Sequence, residues 1–336
     1  MTRIVVVGGY GHVGQKIARR LMPVPDVTVR IAGRDASRAR AASQMLSCEW
    51  AVLDIADPAS WDGALAAADL VICCIDTPSA DFPAKVLRLG LDYVDISATD
   101  AVLQRIEALD GLAKANDALA VLSVGLAPGL TNLLARRAKE TLPQIDAMTI
   151  GVLLGLGDEH GPAAIKWTLD NLAPLARSDI RTMRFGPEAA ALPTIPFDFA
   201  DQHVLTRRGY PPVRTRLGLA SPLVSATSLR LLSALAQRDW ARRLLLWSLP
   251  RFRMGSDRAA LVVEARGTGN GGATVRRLYL EGTREADITA LMAAQVALRV
   301  SSRDERGVRH IDELWELEDF AEALSDEGIS FGVAER

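Results

Sequence analysis

A glycine-rich corner near the start of the chain has the residue types needed to hold a phosphate group. Residues 5–21 read VVVGGYGHVGQKIARRL, in which Gly9, Gly11 and Gly14 follow the pattern Gly-x-Gly-x-x-Gly. The first glycine permits a tight turn, the second lets the backbone approach a pyrophosphate, and the third lets the following helix pack closely against the strand. The pattern therefore predicts a dinucleotide site. The other loop residues that we expect to contact the dinucleotide are Tyr10, His12 and Val13.

The residues after the second predicted strand indicate which dinucleotide binds. An NAD site usually has an acidic residue there, about 20 residues after the glycines, which hydrogen-bonds the ribose 2′-hydroxyl. This strand instead ends at Gly33 and is followed by Arg34, with Ser37 and Arg38 close behind. A guanidinium binds a 2′-phosphate through paired charge-assisted hydrogen bonds and stacks on adenine. The alternative is a solvated arginine beside Asp35 as a helix cap, but the missing acidic residue at the strand end favours NADP(H).

Further cofactor contacts are expected where the later strands end. In a doubly wound sheet the third strand borders the adenine, and the fourth and fifth strands border the nicotinamide. The alternative for each of these residues is ordinary loop chemistry, such as a turn proline. The residues at these strand ends are Asp54, Ile55, Cys74, Ile75, Pro78 and Ser97.

Two residues are candidates for the proton-transferring group. His160 lies in the loop GLGDEHG and could act as a general acid because imidazole titrates near neutral pH. Asp95 ends the fifth predicted strand. The alternatives are a loop histidine at a helix start and a helix-capping aspartate. The Tyr-x-x-x-Lys pair of short-chain dehydrogenases is absent, since none of the four tyrosines has a lysine four residues later.

Strands and helices alternate through the first part of the chain. The run RIVVVGG is continuously apolar and β-branched, which is typical of a parallel strand buried on both faces. Alternating strands and helices indicate βαβ units, so we predict a Rossmann-type, doubly wound parallel sheet of six strands. The predicted strands cover 3–9, 27–33, 48–57, 68–76, 92–98 and 118–126, and the predicted helices between them include 12–21, 61–68, 82–91 and 103–116.

Four short segments resemble the saccharopine dehydrogenase-like NADP-binding family. They are GGYGHVG, AGR at 32–34, YVDIS at 93–97 and GLAPGLTN at 125–132. The resemblance continues in the C-terminal segments RRLYLEGTREADITALMAAQVALRV and GVRHIDELWELEDFAEALSDEGISF. It implies a homodimeric NADP-dependent oxidoreductase whose relatives act on amino-acid-derived imines or secondary amines.

The middle of the chain departs from the βαβ order. Strands are predicted at 146–156, 259–267 and 273–282, with a helix at 161–176. We therefore predict an inserted α+β substrate and dimerisation domain, with the active site in the crevice beside the Rossmann strands. The predicted boundaries are 1–132 for the dinucleotide domain, 133–283 for the inserted domain and 284–336 for C-terminal helices that return to the first domain.

Composition restricts the class of protein. A chain of 336 residues corresponds to about two domains. A charged fraction of 24% and a formal net charge of −2 argue against nucleic acid as a partner. The three cysteines form no metal-ligand pattern, and no leader or apolar run of about 18 residues is present. These features predict a cytoplasmic protein without a metal site.

The distribution of charge is uneven. Residues 203–258 hold eleven arginines and two acidic residues, whereas residues 303–336 hold eleven acidic residues and four arginines. Such blocks could pair across a dimer. A stripe of Leu229, Leu232, Ala236, Trp240, Leu244 and Trp247 is also present. It could face the core, cover an apolar substrate or make a peripheral membrane contact, and the core-facing interpretation is favoured.

These observations predict an NADPH-dependent reductase acting on a C=N or C=O centre of a small, amino-acid-derived molecule. A non-catalytic NADP-sensing regulator and a reductase of an activated C=C bond are the alternatives. The second domain favours an enzyme, because a sensor does not need to enclose a substrate.

Overall fold

The computed structural model describes residues 1–157, 162–176, 179–221, 224–248, 255–269 and 272–334. It divides into two compact units. The first unit contains residues 1–130 and 286–315, and the second contains residues 131–285 and 316–336. In the parts of the chain that the structure describes, no helix combines the length and apolarity needed to cross a bilayer.

Strands and helices alternate through residues 1–130, whereas residues 131–336 follow no regular order of strands and helices. Residues 1–130 contain β1 (Thr2–Val7), α1 (His12–Leu21), β2 (Val27–Gly33), α2 (Ala36–Leu46), β3 (Glu49–Val52), α3 (Trp61–Leu65), β4 (Leu70–Cys73), α4 (Asp81–Arg88), β5 (Asp92–Asp95), α5 (Asp100–Glu107), α6 (Asp110–Ala115) and β6 (Leu119–Leu122). Residues 131–284 contain α7 (Thr131–Lys139), β7 (Gln144–Gly155), α8 (Pro162–Asp170), β8 (Arg181–Arg184), β9 (Ala191–Pro196), α9 (Ala200–Arg207), β10 (Val213–Ala220), α10 (Ala226–Ala236), α11 (Asp239–Ser248), β11 (Arg258–Gly269) and β12 (Gly272–Thr283). The remainder contains α12 (Glu285–Val300), β13 (Gly307–His310), α13 (Ile311–Leu314), α14 (Ala321–Asp326) and β14 (Ser330–Ala334).

The first unit is built on a parallel sheet with the strand order β13-β6-β5-β4-β1-β2-β3. β1, which lies beside the central strand β4, is apolar on both faces, and Val5 and Val6 are fully buried. Successive strands are added on one side of β1 up to β3 and on its other side from β4 onward. The carboxyl ends of β1 and β4 therefore border a crevice that can take a ligand. The predicted doubly wound α/β fold is confirmed.

The seventh strand, β13, is an addition to the six that the sequence pattern predicts. It pairs in parallel with β6, with His310 opposite Leu122. The segment GVRH is too short and too polar to show a strand pattern, and it reaches the sheet only because α12 carries the chain back to the first unit. The predicted helix at 103–116 is likewise divided, into α5 and α6.

A buried series of hydrogen-bonded side chains attaches β13 to the rest of the first unit. Ser123 Oγ lies 2.8 Å from Nδ1 of His310, and Nε2 of His310 lies 3.1 Å from Oε1 of Glu107. A neutral imidazole protonated on Nε2 donates to Glu107 and accepts from the Ser123 hydroxyl, so both ring nitrogens are satisfied. His310 is 4% exposed and Ser123 is fully buried.

We expect His310→Leu to lower the free energy of unfolding by about 2–4 kcal/mol, because the fully buried hydroxyl of Ser123 then loses its acceptor. The matched control is His203→Leu, which removes an exposed histidine paired with Asp198 and is expected to cost less than about 1 kcal/mol. Urea unfolding of both variants measures the difference. Equal losses would show that the hydrogen bonds of His310 contribute no more to the free energy of unfolding than an exposed ion pair.

The second unit is built on a mixed sheet with the strand order β14-β12-β11-β7-β10-β9-β8. β7 and β10 are parallel, and the other neighbouring strands are antiparallel. The core at one end of this sheet includes Leu153, Phe185 and Val262. The strands predicted at 146–156, 259–267 and 273–282 correspond to β7, β11 and β12, whereas β8, β9 and β10 have no counterpart in the prediction.

The C-terminal segment differs from its predicted arrangement. Residues 284–336 were expected to return to the dinucleotide domain, but residues 316–336 belong to the second unit. The reason is strand pairing, since β14 adds an antiparallel ladder to the edge strand β12, with Leu280 opposite Phe331. α12, β13 and α13 lie in the first unit.

The predicted apolar stripe of residues 229–247 is not one continuous core-facing surface. The chain forms two helices, α10 and α11, with a break at residues 237–238. Leu229 and Ala236 on α10 are buried at 2% and 4% exposure. Trp240 and Trp247 on α11 are exposed. The break rotates the second half of the stripe away from the core, so the core-facing interpretation holds for α10 alone.

Candidate functional site

The glycine loop between β1 and α1 has no room for side chains. A Cβ placed on Gly14 would lie 2.4 Å from the carbonyl oxygen of Gly8, and one on Gly9 would lie 2.7 Å from that of Val6. Gly8 has a φ of +77°, a conformation that L side chains rarely adopt. The loop is therefore a bare backbone surface directly before a helix, which is the form required to approach a pyrophosphate.

The N-terminus of α1 is suited to an anion. Its N-cap residue, Gly11, makes no side-chain capping bond, and the first turn contains no acidic residue. The first N–H groups of a helix have no intrahelical acceptors, and the helix dipole is positive at this end. His12 adds a buried Nε2 that has no hydrogen-bond partner within the described residues. These residues fit the diphosphate of a dinucleotide.

Tyr10 links the glycine loop to the end of β2. A Cβ on Gly33 would lie 2.3 Å from Cε1 of Tyr10, so the ring lies directly over this glycine. The guanidinium carbon of Arg38 lies 4.6 Å from the centroid of the same ring. The predicted cofactor contacts Tyr10, Gly33 and Arg38 are thus brought together by the structure.

The start of α2 orients the charges around this ring. Asp35 caps the helix by accepting from the backbone N–H of Arg38 at 3.0 Å, and it also accepts from the hydroxyl of Ser37 at 2.6 Å. These hydrogen bonds, led by that of Ser37, lower the pKa of Asp35. The Ser37 hydroxyl is therefore already engaged, whereas Arg34 and Arg38 are exposed cations beside the end of β2. A 2′-phosphate placed here would meet these two guanidinium groups.

The loops after β3 and β4 contain the next predicted contacts. Asp54 accepts from the N–H of Ala56 at 3.0 Å, so it stabilises its own half-buried turn, with Ile55 beside it. Ile75 packs on the glycine loop, because a Cβ on Gly8 would lie 2.9 Å from its Cγ2. Cys74 is half-buried before Ile75, and Pro78 is exposed after it.

Asp95 is completely buried at the end of β5. Its carboxylate accepts from the hydroxyl of Tyr93 and from the backbone N–H of Ser97, each at 2.8 Å. Burial raises the pKa of Asp95 to about 7, despite these two hydrogen bonds. The side chain therefore supports the turn after β5, where Ser97 lies.

An exposed carboxylate that the sequence analysis did not single out, Asp76, lies next to this turn. Its two oxygens accept from the hydroxyls of Ser97 and Thr99, each at 2.6 Å. The bonds join the loop after β4 to the loop after β5, at the edge of the sheet expected to border nicotinamide. An aspartate directly after one strand, with hydroxyl residues directly after the next, is the signal that could have revealed this group.

The loop that contains Asp76 is also held by a hydrogen bond from α5. Arg105 on α5 donates from Nη2 to the carbonyl oxygen of Thr77 at 2.8 Å. Thr77 is 1% exposed, and within the described residues its hydroxyl has no partner. The other predicted catalytic residue, His160, lies outside the described residues.

The raised pKa of Asp95 predicts a pH-dependent stability. In the unfolded chain this carboxyl titrates near 3.8, whereas in the folded protein it titrates near 7, so the native state binds the proton more tightly. Its contribution to the free energy of unfolding is therefore greatest below pH 4 and falls as the pH rises toward 7. We expect Asp95→Asn to flatten this part of the stability profile, measured by urea unfolding between pH 4 and pH 8.

The control for this prediction is Asp117→Asn, because the Asp117 side chain is 84% exposed. The control should keep the profile of the unsubstituted protein. An unchanged slope in Asp95→Asn would show that Asp95 is ionised in the native state throughout this range.

A comparison with known proteins identifies the family that residues 4–121 match. The family described as saccharopine dehydrogenase NADP binding domain matches residues 4–121, which contain the glycine loop, Arg34 and Asp76. None of the curated proteins matches this chain in sequence.

Solved structures extend the likeness to the whole chain. Apo saccharopine dehydrogenase (L-Glu forming) from Saccharomyces cerevisiae aligns with a TM-score of 0.65 and 14% identity over 100% of both chains. An engineered D-amino acid dehydrogenase bound to NADP+ aligns with a TM-score of 0.54 and 16% identity, over 96% of this chain and 98% of the other. The C. glutamicum DAP dehydrogenase in complex with DAP aligns with a TM-score of 0.53 and 17% identity, over the same shares.

At these identities the solved structures establish the fold alone. The family match covers residues 4–121 of the first unit, which contain the glycine loop and the two arginines, and these residues fit a dinucleotide with a 2′-phosphate. Residues 4–121 therefore match the saccharopine dehydrogenase NADP binding domain, and the cofactor is NADP(H).

Proposed function

We propose that this protein is an NADP(H)-dependent oxidoreductase that transfers a hydride to or from the C=N centre of a small, amino-acid-derived molecule. The family of its first unit is named for a dehydrogenase, and structures of similar fold include dehydrogenases of amino acids. NADP(H) supplies the hydride chemistry. The chain must then supply binding, orientation and a proton.

The observation that carries the C=N assignment is the exposed carboxylate of Asp76. An iminium centre is cationic, as is the amine formed from it once that amine has taken up a proton, and a nearby carboxylate stabilises both. A carbonyl gains negative charge as hydride is added, and the same carboxylate would oppose that change. Two short hydroxyl bonds hold Asp76 in one orientation, so it does not need to reorganise when a substrate binds.

Asp95 acts in this proposal as a positioning residue. Its carboxylate holds the N–H of Ser97, and the hydroxyl of Ser97 in turn holds Asp76. The predicted catalytic role of Asp95 is therefore indirect. We retain His160, from its sequence context, as the candidate for the proton donor.

We also propose a homodimer in the cytoplasm. The charge blocks of the sequence support the dimer, although part of the acidic block is satisfied within the second unit, where Arg136 pairs with Glu316. Sedimentation equilibrium tests the oligomeric state directly.

The function is tested by following the absorbance of the reduced nicotinamide with a panel of 2-oxo acids plus ammonia or primary amines, and with the corresponding amines and NADP+. Simple ketones and enoyl compounds complete the panel. We expect turnover with the C=N or amine compounds alone. Reduction of ketones to alcohols, or of enoyl compounds, without any amine would contradict the proposal.

Asp76→Asn tests the residue assignment. We expect kcat with the amine or imine substrate to fall about 100-fold or more, as for loss of a preorganised charge at the reacting centre, while the Kd for NADPH is unchanged. Asp117→Asn, on an exposed turn, is the matched control and should retain full activity. Full activity in Asp76→Asn would remove Asp76 from the mechanism.

A further inference from the structure

One face of α11 is apolar and exposed. Trp240, Leu244 and Trp247 have exposed fractions of 67%, 54% and 57%. Their i, i+4 and i+7 spacing places them on the same side of the helix. Ala241, on another side, is 3% exposed and belongs to the core. Two exposed tryptophans on one short helix are unusual in a soluble domain and indicate an interaction surface.

The same region is basic. Arg243 is exposed and lies next to this face on the helix, and Arg230 and Arg238 are exposed on α10 and in the break before α11. Within the described residues, no carboxylate forms an ion pair with these three arginines. Arg242 differs, since it pairs with Asp170 at the end of α8 and so fixes α11 to its own unit. We call Trp240, Leu244, Trp247 and Arg243 the α11 face.

The combination of residue types distinguishes between possible occupants. A second copy related by twofold symmetry and centred on this face would place Arg243 against its own symmetry mate, which is repulsive. An anionic lipid surface instead neutralises the arginines and accepts tryptophan rings at the level of the headgroups. A helix of this kind lies in the interface and does not span the bilayer.

We propose that the α11 face docks this protein onto an anionic membrane surface. Tryptophan and leucine side chains enter the headgroup region, and Arg243 contacts lipid phosphates. The attachment is peripheral and sensitive to salt, because much of its strength comes from screened charges. It is independent of the proposed reaction, since no residue of the α11 face belongs to the NADP-binding unit.

The test is co-sedimentation of the full chain with vesicles of phosphatidylglycerol and with vesicles of phosphatidylcholine. We expect the protein to sediment with phosphatidylglycerol at low salt, to be released as salt is raised, and to remain in solution with phosphatidylcholine. The double variant Trp240→Ala/Trp247→Ala should lower the partition coefficient about tenfold or more. Arg243→Glu should lower it by about fivefold or more, corresponding to the loss of one basic residue near the surface.

Trp50→Ala is the matched control. Trp50 is also exposed, at 40%, but lies on β3 in the first unit, and its removal should leave sedimentation unchanged. Urea unfolding, in which the α11 variants should match the unsubstituted chain, confirms that each protein is folded.

Three results would overturn the proposal. The first is no sedimentation with phosphatidylglycerol at low salt, and the second is equal partition onto phosphatidylcholine. The third is a double variant that still binds vesicles like the unsubstituted chain. If the vesicles are not bound and the double variant converts a dimer into a monomer in sedimentation equilibrium, the occupant is a second copy of the chain.

Discussion

Replacement of both Arg34 and Arg38 by alanine is expected to raise the Kd for NADPH about 100-fold or more, since each charge-assisted bond to a 2′-phosphate contributes roughly 1.5–3 kcal/mol. The Kd for NADH should change by about threefold at most, because NADH lacks the phosphate that these guanidinium groups contact. The loss of the Arg38 stack on Tyr10 accounts for the small residual change. Isothermal titration calorimetry with both nucleotides measures the two constants.

Arg40→Ala is the matched control for this prediction. Arg40 is an exposed arginine on α2, two residues after Arg38 and therefore on the opposite side of the helix. It should leave both dissociation constants unchanged. Equal weakening of NADPH and NADH in the double variant would mean that the two arginines support the loop as a whole and do not select the phosphate.

The second large effect is expected for Gly14→Ala. The new Cβ would lie 2.4 Å from the carbonyl oxygen of Gly8 and 2.7 Å from the Cα of Gly9, so it meets backbone that has no rotamer to change. Relief requires α1 to move away from the loop, which displaces the helix N-terminus from the phosphates. We expect an NADPH affinity lower by about 100-fold and a free energy of unfolding lower by about 1–3 kcal/mol.

The control is Gly111→Ala on α6, where a Cβ would meet nothing within 4 Å. There the gain in helix propensity should stabilise the protein by up to about 1 kcal/mol without altering the Kd for NADPH. A Gly14→Ala protein that binds NADPH with unchanged affinity would refute the close approach of the loop to the pyrophosphate.

The candidate cofactor site was predictable because its signals are local. Gly9, Gly11 and Gly14 act within one turn of chain, and Arg34 follows directly from the strand that Val27–Gly33 forms. Such groups are positioned by the backbone of their own βαβ unit, so their spacing in the sequence translates directly into geometry. The alternation of strands and helices likewise determined the parallel sheet and its carboxyl edge.

The groups proposed to face the substrate were not predictable in this way. Asp76 is held by Ser97 and Thr99, which are 21 and 23 residues away, so the two bonds depend on the ends of β4 and β5 meeting at one edge of the sheet. The predicted catalytic residue Asp95 is buried for the same reason, because the packing of β5 between β4 and β6 encloses it. Burial is decided by neighbours across the sheet, not by residue type.

The sequence by itself therefore determined the Rossmann sheet, the glycine loop and the arginines that favour NADP(H). Only the tertiary structure decided that β13 joins the first sheet, that β14 joins the second, and that Trp240 and Trp247 face solvent. The physical reason is range. Helix periodicity, turn glycines and strand patterns act over a few residues. Strand pairing and the exposure of an apolar face depend instead on which distant parts of the chain pack against them.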